Sequence, residues 1–242
     1  MASYIIGITG FAGSGKNSIA NVIHETFPEE TEIISVGSAV KDVCSVLFDW
    51  PRDLLEGDTI KSREFRESID EYWSKMLNQD WTPRKAMQFV GTDLIRNQLS
   101  DSFWLDLTMK KIDKSDKIVI IPDVRFRNEI NCIQKKNGMI VRAQLGENPE
   151  WFDKVAILNA MIPDYMFNGE LDKAMLTLDK IRKTVPSDLH NSEYEWVGYD
   201  CPDKIIKCET KGLGLLKQKV LESYLLEHIK NHIETTKKNK KL

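Results

Sequence analysis

The amino-acid sequence predicts an α/β fold in which a five-stranded, mainly parallel sheet is flanked by helices. Five short apolar segments alternate with stretches whose apolar residues recur at helical spacing. The first segment starts at Tyr4 and leads directly into a glycine-rich loop, and the third, Ile118–Ile121, is unbroken and β-branched, as in strands covered on both faces. Strands that alternate with helices indicate parallel pairing with right-handed crossovers.

Length and composition fit one large domain, or a core domain that carries an insertion. The chain has 242 residues, of which 41% are hydrophobic and 29% charged, and its net charge is −3. Because this charge gives no general attraction to nucleic acid, no direct nucleic-acid partner is expected.

No apolar run reaches the roughly 18 residues of a membrane span, and no signal-peptide pattern is visible, so we expect no membrane partner. Four widely spaced cysteines without a C-x-x-C pair suit a reducing cytoplasm.

The loop after the first strand carries the pattern G-x-x-x-x-G-K, from Gly10 to Lys16. Between a strand and a helix, this pattern is typical of a phosphate site. Its glycines let consecutive backbone N–H groups point at a phosphate, and the helix N-terminus adds partial positive charge. Lys16 would bring an ammonium group to the β and γ phosphates. The next position usually carries Ser or Thr as a Mg²⁺ ligand, but here it is Asn17, followed by Ser18.

The remaining elements follow from periodicity and capping. In the first half we predict a strand and four helical stretches, at 32–36, 38–48, 61–73, 84–99 and 102–112. The helix at 84–99 has the start signal of Thr82 as cap and Pro83 in its first turn. In the second half we predict a helix, two strands and a long final helix, at 129–136, 138–143, 204–208 and 213–233.

Two connections are too long to be simple crossovers. About 80 residues separate the second and third strands, and about 60 separate the fourth and fifth. We therefore predict a single P-loop kinase domain over residues 1–242, with a helical acceptor-binding insertion at 37–116 and a lid or insertion region at 146–190. Ligands of open parallel sheets bind beyond the carboxyl ends of the strands, where both insertions could close over a nucleotide.

Two groups of side chains have candidate chemistry. Asp123 and Arg125 follow the third strand, where a carboxylate can hold Mg²⁺ or its waters and an arginine can bind phosphate as a forked donor. The alternative is a surface ion pair or a helix cap. Arg84, Gln88 and Arg96 share one helical stripe, which either binds an anion and a base or is an ordinary solvated face.

Together these segments resemble the deoxynucleoside monophosphate kinases of the phage type, within the P-loop nucleoside-monophosphate-kinase-like group. Gly37 and Lys41-Asp42 also resemble that family. Four patterns carry the resemblance: G-x-x-x-S-G-K-[DN]-[ST] at 10–18, P-R-K-x-x-Q-x-x-G-T-[DE]-x-x-R at 83–96 with Phe103-Trp104 after it, D-x-R-F-x-N-E at 123–129, and H-x-S-E at 190–193. From its surroundings alone, His190 is expected to be solvated.

The resemblance implies a P-loop NTPase fold and a set of site residues. Lys16, Asp123 and Arg125 would be catalytic, with Asp123 holding Mg²⁺ directly or through water. The residues implied for ATP are Gly13, Ser14, Gly15, Lys16, Asn17 and Ser18. Those implied for the acceptor nucleotide are Gly37, Lys41, Arg84, Gln88, Thr92 and Trp104. Residues 147–185 depart from the family pattern, which leaves Arg142 and Arg182 as candidates for the arginine that contacts ATP.

The function implied is transfer of the γ-phosphoryl group of ATP, with Mg²⁺, to a deoxynucleoside 5′-monophosphate. Such a protein would work in the cytoplasm, the host's if a phage encodes it, and a homodimer is left open. One alternative is a kinase of another small phosphorylated metabolite, such as dephospho-coenzyme A. Another is a nucleotide-binding regulator with little turnover.

Overall fold

A computed structural model describes residues 4–210 and 212–239. Five strands form one sheet in the order β2-β3-β1-β4-β5, and every neighbouring pair is parallel. The predicted α/β class with a five-stranded sheet is therefore confirmed. The strands are β1 (Ile5–Thr9), β2 (Thr31–Ile33), β3 (Ile118–Ile121), β4 (Met139–Leu145) and β5 (Lys204–Cys208).

Eleven α-helices lie in the described part of the chain, with two short 3₁₀ helices at Arg52–Leu55 and Asn191–Glu193 and a π-helical segment at Phe89–Arg96. The α-helices are α1 (Lys16–Thr26), α2 (Ser38–Phe48), α3 (Ile60–Glu67), α4 (Glu71–Leu77), α5 (Pro83–Gln88), α6 (Phe103–Ile112), α7 (Arg127–Lys135), α8 (Phe152–Phe167), α9 (Leu171–Thr184), α10 (Leu213–Leu221) and α11 (Tyr224–Asn239). None of these helices combines the length and apolar character that a membrane crossing needs.

The central strand β1 fixes the position of the phosphate loop. All five of its residues are buried, and it pairs with β3 on one side and β4 on the other. Gly7 lets α7 approach closely, because a Cβ there would lie only 2.6 Å from Ile133 Cδ1. The chain order reverses at β1, so the carboxyl ends of β1, β3 and β4 form the switch point where open α/β sheets bind ligands.

The chain divides into two compact units. The larger comprises the described residues up to Ile33 and from Ser115 onward, and it contains the whole sheet. Its core is mainly aliphatic, with Ile6, Ile8 and Ile120 from the sheet packed against α1 and α10. The smaller unit, Ile34–Lys114, is helical. Its interior is aromatic, since Phe48 packs on the rings of Trp50, Trp73 and Trp81.

The second strand is shorter than predicted. β2 ends at Ile33 rather than at residue 36 because, in the described sheet, it is an edge strand paired with the four-residue strand β3. Beyond the paired segment the chain turns, and Ser38 N donates to Ser35 O at 3.3 Å as α2 begins. The predicted helix at 38–48 is confirmed as α2.

Two predicted helices of the smaller unit are interrupted. The polar stretch 61–73 is divided between α3 and α4 because Asp70 caps a new helix, accepting from Trp73 N at 2.9 Å. The helix from Arg84 changes to π winding at Phe89, and Trp104 Nε1 donates to the Gly91 carbonyl at 2.8 Å. Because π bonds close five residues apart rather than four, buried Arg96 leaves the stripe of Arg84 and Gln88. The predicted single stripe is therefore wrong for Arg96.

Two further predictions concern the second half of the chain. The final helix is broken at Ser223, whose N–H and hydroxyl both bond Val220 O, and α11 then continues to Asn239. Residues 147–185, expected to be at least partly helical, contain the helical hairpin of α8 and α9. On α9, Ala174 and Ile181 are buried whereas Leu171, Met175 and Leu178 are exposed.

Candidate active site

The glycine-rich loop has the geometry of a phosphate cradle. Gly13 and Gly15 have φ values of +77° and +95°, in the left-handed region that favours glycine. A Cβ at Gly13 would meet no atom within 4 Å, so there is open space beside the loop. Ser14 is buried, and its Oγ has no hydrogen-bond partner among the described residues. A buried hydroxyl without a partner is a site where a phosphate oxygen would restore a hydrogen bond.

Lys16 folds back over its own loop. Its Nζ donates to Gly10 O at 2.7 Å and to Phe11 O at 2.8 Å. The pKa of Lys16 is lowered to about 7: burial is the largest cause and the charge of Arg125 adds to it, while the carboxylates of Glu193 and Asp123 act in the opposite direction. The ammonium group therefore lies in a poorly solvated position with neutral dipoles as its direct partners, which favours binding of an anion.

Both the backbone and the side chain of Arg125 are held by glutamate side chains. Its backbone N–H donates to Glu129 Oε2 at 2.7 Å, and its Nη1 donates to Glu193 Oε1 at 2.5 Å. Burial acts against the charge, but Glu193 outweighs it and the pKa of Arg125 is raised above its usual value. Asp123, two residues earlier, follows β3 at the carboxyl edge of the sheet. The D-x-R-F-x-N-E pattern thus supplies Glu129 as the backbone anchor of its own arginine.

The H-x-S-E pattern supports this arginine. Glu193 is 8% exposed and forms the ion pair with Arg125, and Ser192 O lies 3.5 Å from Arg125 Nη1. His190 is half-buried and begins the 3₁₀ turn by accepting from Ser192 N at 3.3 Å. The expectation that His190 is merely solvated is wrong, because its ring shapes the turn that carries Glu193.

Arg142 is already bound to another residue. From the middle of β4 it donates to Asp200 through Nε at 2.7 Å and through Nη2 at 2.5 Å, and Asp200 is fully buried. Thr9, the last residue of β1, donates to the same carboxylate at 3.0 Å. The guanidinium also lies over the rings of Phe152 and Trp196. Sequence reasoning did not identify Asp200, which no pattern marks; its carboxylate ties Arg142 to Thr9, the last residue of β1.

A small cavity lies beside the glycine-rich loop. Its volume is about 90 Å³, and one wall is the loop itself with the end of β4 opposite. Phe11 packs edge-on against Trp196 at 4.9 Å between ring centroids. Arg182, the other arginine candidate, is exposed on α9 and does not line this cavity. The lining includes Phe11, Ala12, Ser14, Arg142, Gln144 and Glu147.

The residues implied for the acceptor all lie in the smaller unit. Arg84 forms an ion pair with Glu67, and Gln88 next to the π segment is half-buried. Thr92 and Trp104 are 5% exposed each and belong to the interior. Gly37 caps α2, and Lys41 on that helix binds Glu56. Arg84 and Lys41 thus present cations from α5 and α2, whereas Thr92 and Trp104 are interior residues and Trp104 bonds the Gly91 carbonyl.

The residues present fit a nucleoside triphosphate with Mg²⁺. The cradle has room, an unpaired buried hydroxyl and a lysine, and Asp123 is close enough to influence the pKa of that lysine. Among the described residues no group of three or more His, Cys, Asp or Glu side chains could hold a metal. Mg²⁺ in kinases commonly uses one or two carboxylates together with substrate phosphates and water, so one carboxylate such as Asp123 would suffice as the protein's ligand.

Comparisons with known proteins show which sequences this chain resembles. The family model for deoxynucleotide monophosphate kinase matches residues 53–154. A protein of Acanthamoeba polyphaga mimivirus named putative deoxynucleotide monophosphate kinase is 30% identical over 155 residues, which cover 57% of this chain and 72% of the relative. The deoxynucleoside-5′-monophosphate kinase of Escherichia phage T5 is 26% identical over 185 residues, covering 57% of this chain and 74% of the relative.

A solved structure, dephospho-CoA kinase from Campylobacter jejuni, aligns with 92% of this chain and 96% of its own, at 14% identity and a TM-score of 0.38. The mimivirus relative carries the family assignment because it is 30% identical and 72% of its length matches this chain. Together with the family model and the phosphate cradle, it leads to one conclusion. The chain belongs to the deoxynucleotide monophosphate kinase family.

Proposed function

We propose that this protein transfers the γ-phosphoryl group of ATP to a deoxynucleoside 5′-monophosphate, giving the deoxynucleoside diphosphate. The observation that carries the proposal is the phosphate cradle at the switch point of the sheet, in a chain of this family. There Lys16 is held over the loop, and Asp123 and Arg125 follow the neighbouring strand. The relatives' names supply the class of acceptor.

We assign the donor nucleotide to residues 13–18. The backbone N–H groups of Gly13, Ser14 and Gly15 would bind the β-phosphate, together with the N-terminus of α1. The Ser14 hydroxyl would donate to a phosphate oxygen. Lys16 would exchange its two carbonyl partners for β and γ oxygens. Asn17 is exposed and Ser18 half-buried, so Ser18 would face the α-phosphate.

Positioning and charge neutralisation would carry the catalysis. The acceptor phosphate is itself the nucleophile, so no general base is required. Arg125, fixed by Glu193 and Glu129, would donate to oxygens of the phosphoryl group in transfer. Asp123 would hold Mg²⁺ directly or through water. When bound, the ion supplies positive charge that neutralises the phosphate oxygens.

We assign the acceptor to the smaller unit. Lys41, Arg84 and Gln88 would contact it, while Thr92 and Trp104 would hold the contact helix in shape and Gly37 would begin α2 close to the ligand. The π winding at Phe89–Arg96 supports this assignment, because π segments inside helices are frequent at functional sites. Residues 37–116 would form the acceptor-binding insertion and residues 146–190 the lid, within a single kinase domain. The cytoplasm, with its nucleotide pool, would be the site of action.

One experiment tests this function. Purified protein, ATP and Mg²⁺ are incubated with each of a panel of ribo- and deoxynucleoside monophosphates and with dephospho-coenzyme A, and ADP release is followed in a coupled assay. We expect rapid release with at least one deoxynucleoside monophosphate. Release only with dephospho-coenzyme A would identify a kinase of another metabolite, and nucleotide binding without release would identify a regulator. Either result would overturn the proposed function.

A further inference from the structure

Two cationic side chains of the smaller unit converge on one carboxylate. Lys41 Nζ lies 2.5 Å from Glu56 Oε2, and Arg52 Nη1 binds the other carboxylate oxygen, Oε1. The ammonium and guanidinium groups are therefore close enough for a single carboxylate to bond both. Two oxygens of a single phosphate group would fit between the same donors, because arginine and lysine bind phosphate and carboxylate in similar geometry.

The backbone holds both cations where they are. Lys41 is in the first turns of α2, and Arg52 begins the following 3₁₀ helix. Arg52 Nη2 lies 3.3 Å from Ser38 Oγ and 3.4 Å from Ser38 O, and Asp42 accepts from its Nε at 2.5 Å. The guanidinium is thus attached to α2 independently of Glu56. Removing the Glu56 carboxylate would leave Arg52 with Asp42 as its ion-pair partner.

The carboxylate itself comes from a short loop that other cations surround. Glu56 ends the 3₁₀ helix and precedes Gly57, which has a φ of +76°. Arg66 donates to Glu56 O at 3.2 Å, and Arg63 donates to Gly57 O at 3.1 Å. The Glu56, Arg52 and Lys41 side chains are 38%, 30% and 16% exposed, so solvent reaches the carboxylate and, to a smaller extent, the two cations that it bridges. The region is rich in cations, and the anion at its centre, the Glu56 carboxylate, can move by rotation about its side-chain torsions.

We propose that Lys41 and Arg52 together bind the 5′-phosphate of the acceptor, and that Glu56 occupies this position as an internal anion until the acceptor arrives. The inference rests on the proposed function, which requires a phosphate site for the acceptor. A phosphate carries up to two charges and three free oxygens at neutral pH, more than a carboxylate, and therefore displaces Glu56. Arg52 becomes an acceptor-binding residue, and competition from Glu56 helps to set the KM for the acceptor.

Opposite substitutions at this site separate the proposal from an ordinary ion pair. Arg52→Gln removes a charged donor to the phosphate and should raise the KM for the deoxynucleoside monophosphate about tenfold or more. The KM for ATP should stay within about twofold. Glu56→Gln removes the competitor, so it should lower the acceptor KM and tighten binding of inorganic phosphate, each by about threefold. If Glu56 merely holds the two cations in place, Glu56→Gln would weaken acceptor binding instead.

Matched controls come from the neighbouring helix. Lys61→Gln and Glu64→Gln change the same charges at exposed positions of α3 and should leave both KM values unchanged. Thermal melting of each variant checks folding. If Arg52→Gln does not fold, Arg52→Lys keeps the charge but loses the forked geometry and should still raise the acceptor KM.

Titration calorimetry separates this inference from the proposed function. Inorganic phosphate and a deoxynucleoside monophosphate are titrated into the wild type, Arg52→Gln and Glu56→Gln, and the deoxynucleoside without phosphate into the wild type. We expect phosphate-dependent binding that Arg52→Gln weakens and Glu56→Gln strengthens. A wild type that phosphorylates no deoxynucleoside monophosphate would refute the proposed function, while the inorganic phosphate titration would still test the site. Phosphate binding that neither variant changes, or that is undetectable in all three proteins, would overturn the inference.

Discussion

The two proposed phosphate-binding regions hold their lysines in different ways. Lys16 is bound by two backbone carbonyls of its own loop, whereas Lys41 is bound by the carboxylate of Glu56. A carbonyl is a dipole that does not neutralise the ammonium, and burial lowers the pKa of Lys16 to about 7. Lys41 instead has an anionic partner, the Glu56 carboxylate that it shares with Arg52. No carboxylate of the described residues bonds Lys16 directly, so ATP would supply an anion there, whereas in the acceptor region an incoming phosphate would displace Glu56.

The largest expected effect comes from removing the donor-side lysine. Lys16→Ala should reduce kcat on the order of a hundredfold or more, because a preorganised charge contact to the phosphoryl group is lost in the transition state. Steady-state kinetics at saturating ATP and acceptor measure the loss. The circular dichroism spectrum should not change, and Lys61→Ala on an exposed face serves as the control. Near-wild-type turnover would remove Lys16 from the catalytic residues.

A second prediction concerns the metal on the donor side. Asp123 is the carboxylate that follows β3, whereas Asn17 offers only a neutral amide at an exposed position. Asp123→Asn should therefore raise the Mg²⁺ concentration for half-maximal rate by roughly tenfold, as for other changes at metal sites. Asn17→Ala should shift it much less, and Ser18→Ala should mainly weaken nucleotide binding. Mg²⁺ titration of the rate at saturating ATP compares the three variants, and the reverse ranking would contradict the assignment to Asp123.

The donor region was more predictable from sequence than the acceptor region. Its glycines and Lys16 are contiguous, so one local pattern between a strand and a helix predicts the loop. The partners that brace it are distant in the chain. Asp200, which binds Thr9 and Arg142, follows no recognisable spacing. Glu193 was included in a family pattern, but its pairing with Arg125 depends on how the chain returns to the sheet.

In the smaller unit, periodicity predicted the helices but not their interruptions. The π winding at Phe89–Arg96 accompanies the bond from Trp104 to the Gly91 carbonyl and the tight fit of Gly91 against Val40, where a Cβ would lie 3.2 Å from Cγ1. These are tertiary contacts, which a local window of sequence does not contain. Convergence of Lys41 and Arg52 on Glu56 was missed for the same reason.

Substitutions on the acceptor helix should separate the two regions kinetically. Arg84→Gln should raise the KM for the monophosphate about tenfold, as expected for the loss of a charged hydrogen bond, with little change in the KM for ATP. Gln88→Ala should act in the same direction but less strongly, because its amide is neutral. Lys85→Gln, at an exposed neighbouring position, is the control. Equal changes in the KM for the monophosphate and the KM for ATP would show that this helix has only a structural role.

The smallest predicted effect follows from the pKa of Lys16. In the free protein this pKa is about 7, and phosphates beside the ammonium should raise it. Near pH 6 the group is already charged, so ATP binding takes up almost no proton there. At pH 8.5 it is mostly neutral, so binding should take up nearly one proton. The Kd for ATP should consequently increase about fivefold between pH 7 and pH 8.

Calorimetry in two buffers with different ionisation enthalpies measures this uptake, and Lys16→Met serves as the reference because ATP itself also titrates.

The same pKa of Lys16 predicts how the stability of the free protein changes with pH. The unfolded lysine has its usual pKa of about 10.4, so between pH 7 and that value the unfolded state binds more protons and free-protein stability rises with pH. Below pH 7 Lys16 is charged in the folded protein as well, so the full free-energy cost of burying its ammonium group is present. Lys16→Met should thus melt at a higher temperature than the wild type at pH 6, and this advantage should shrink by pH 9. An advantage independent of pH would mean that Lys16 remains charged throughout, and the contrast with Lys41 would then lie in its partners alone.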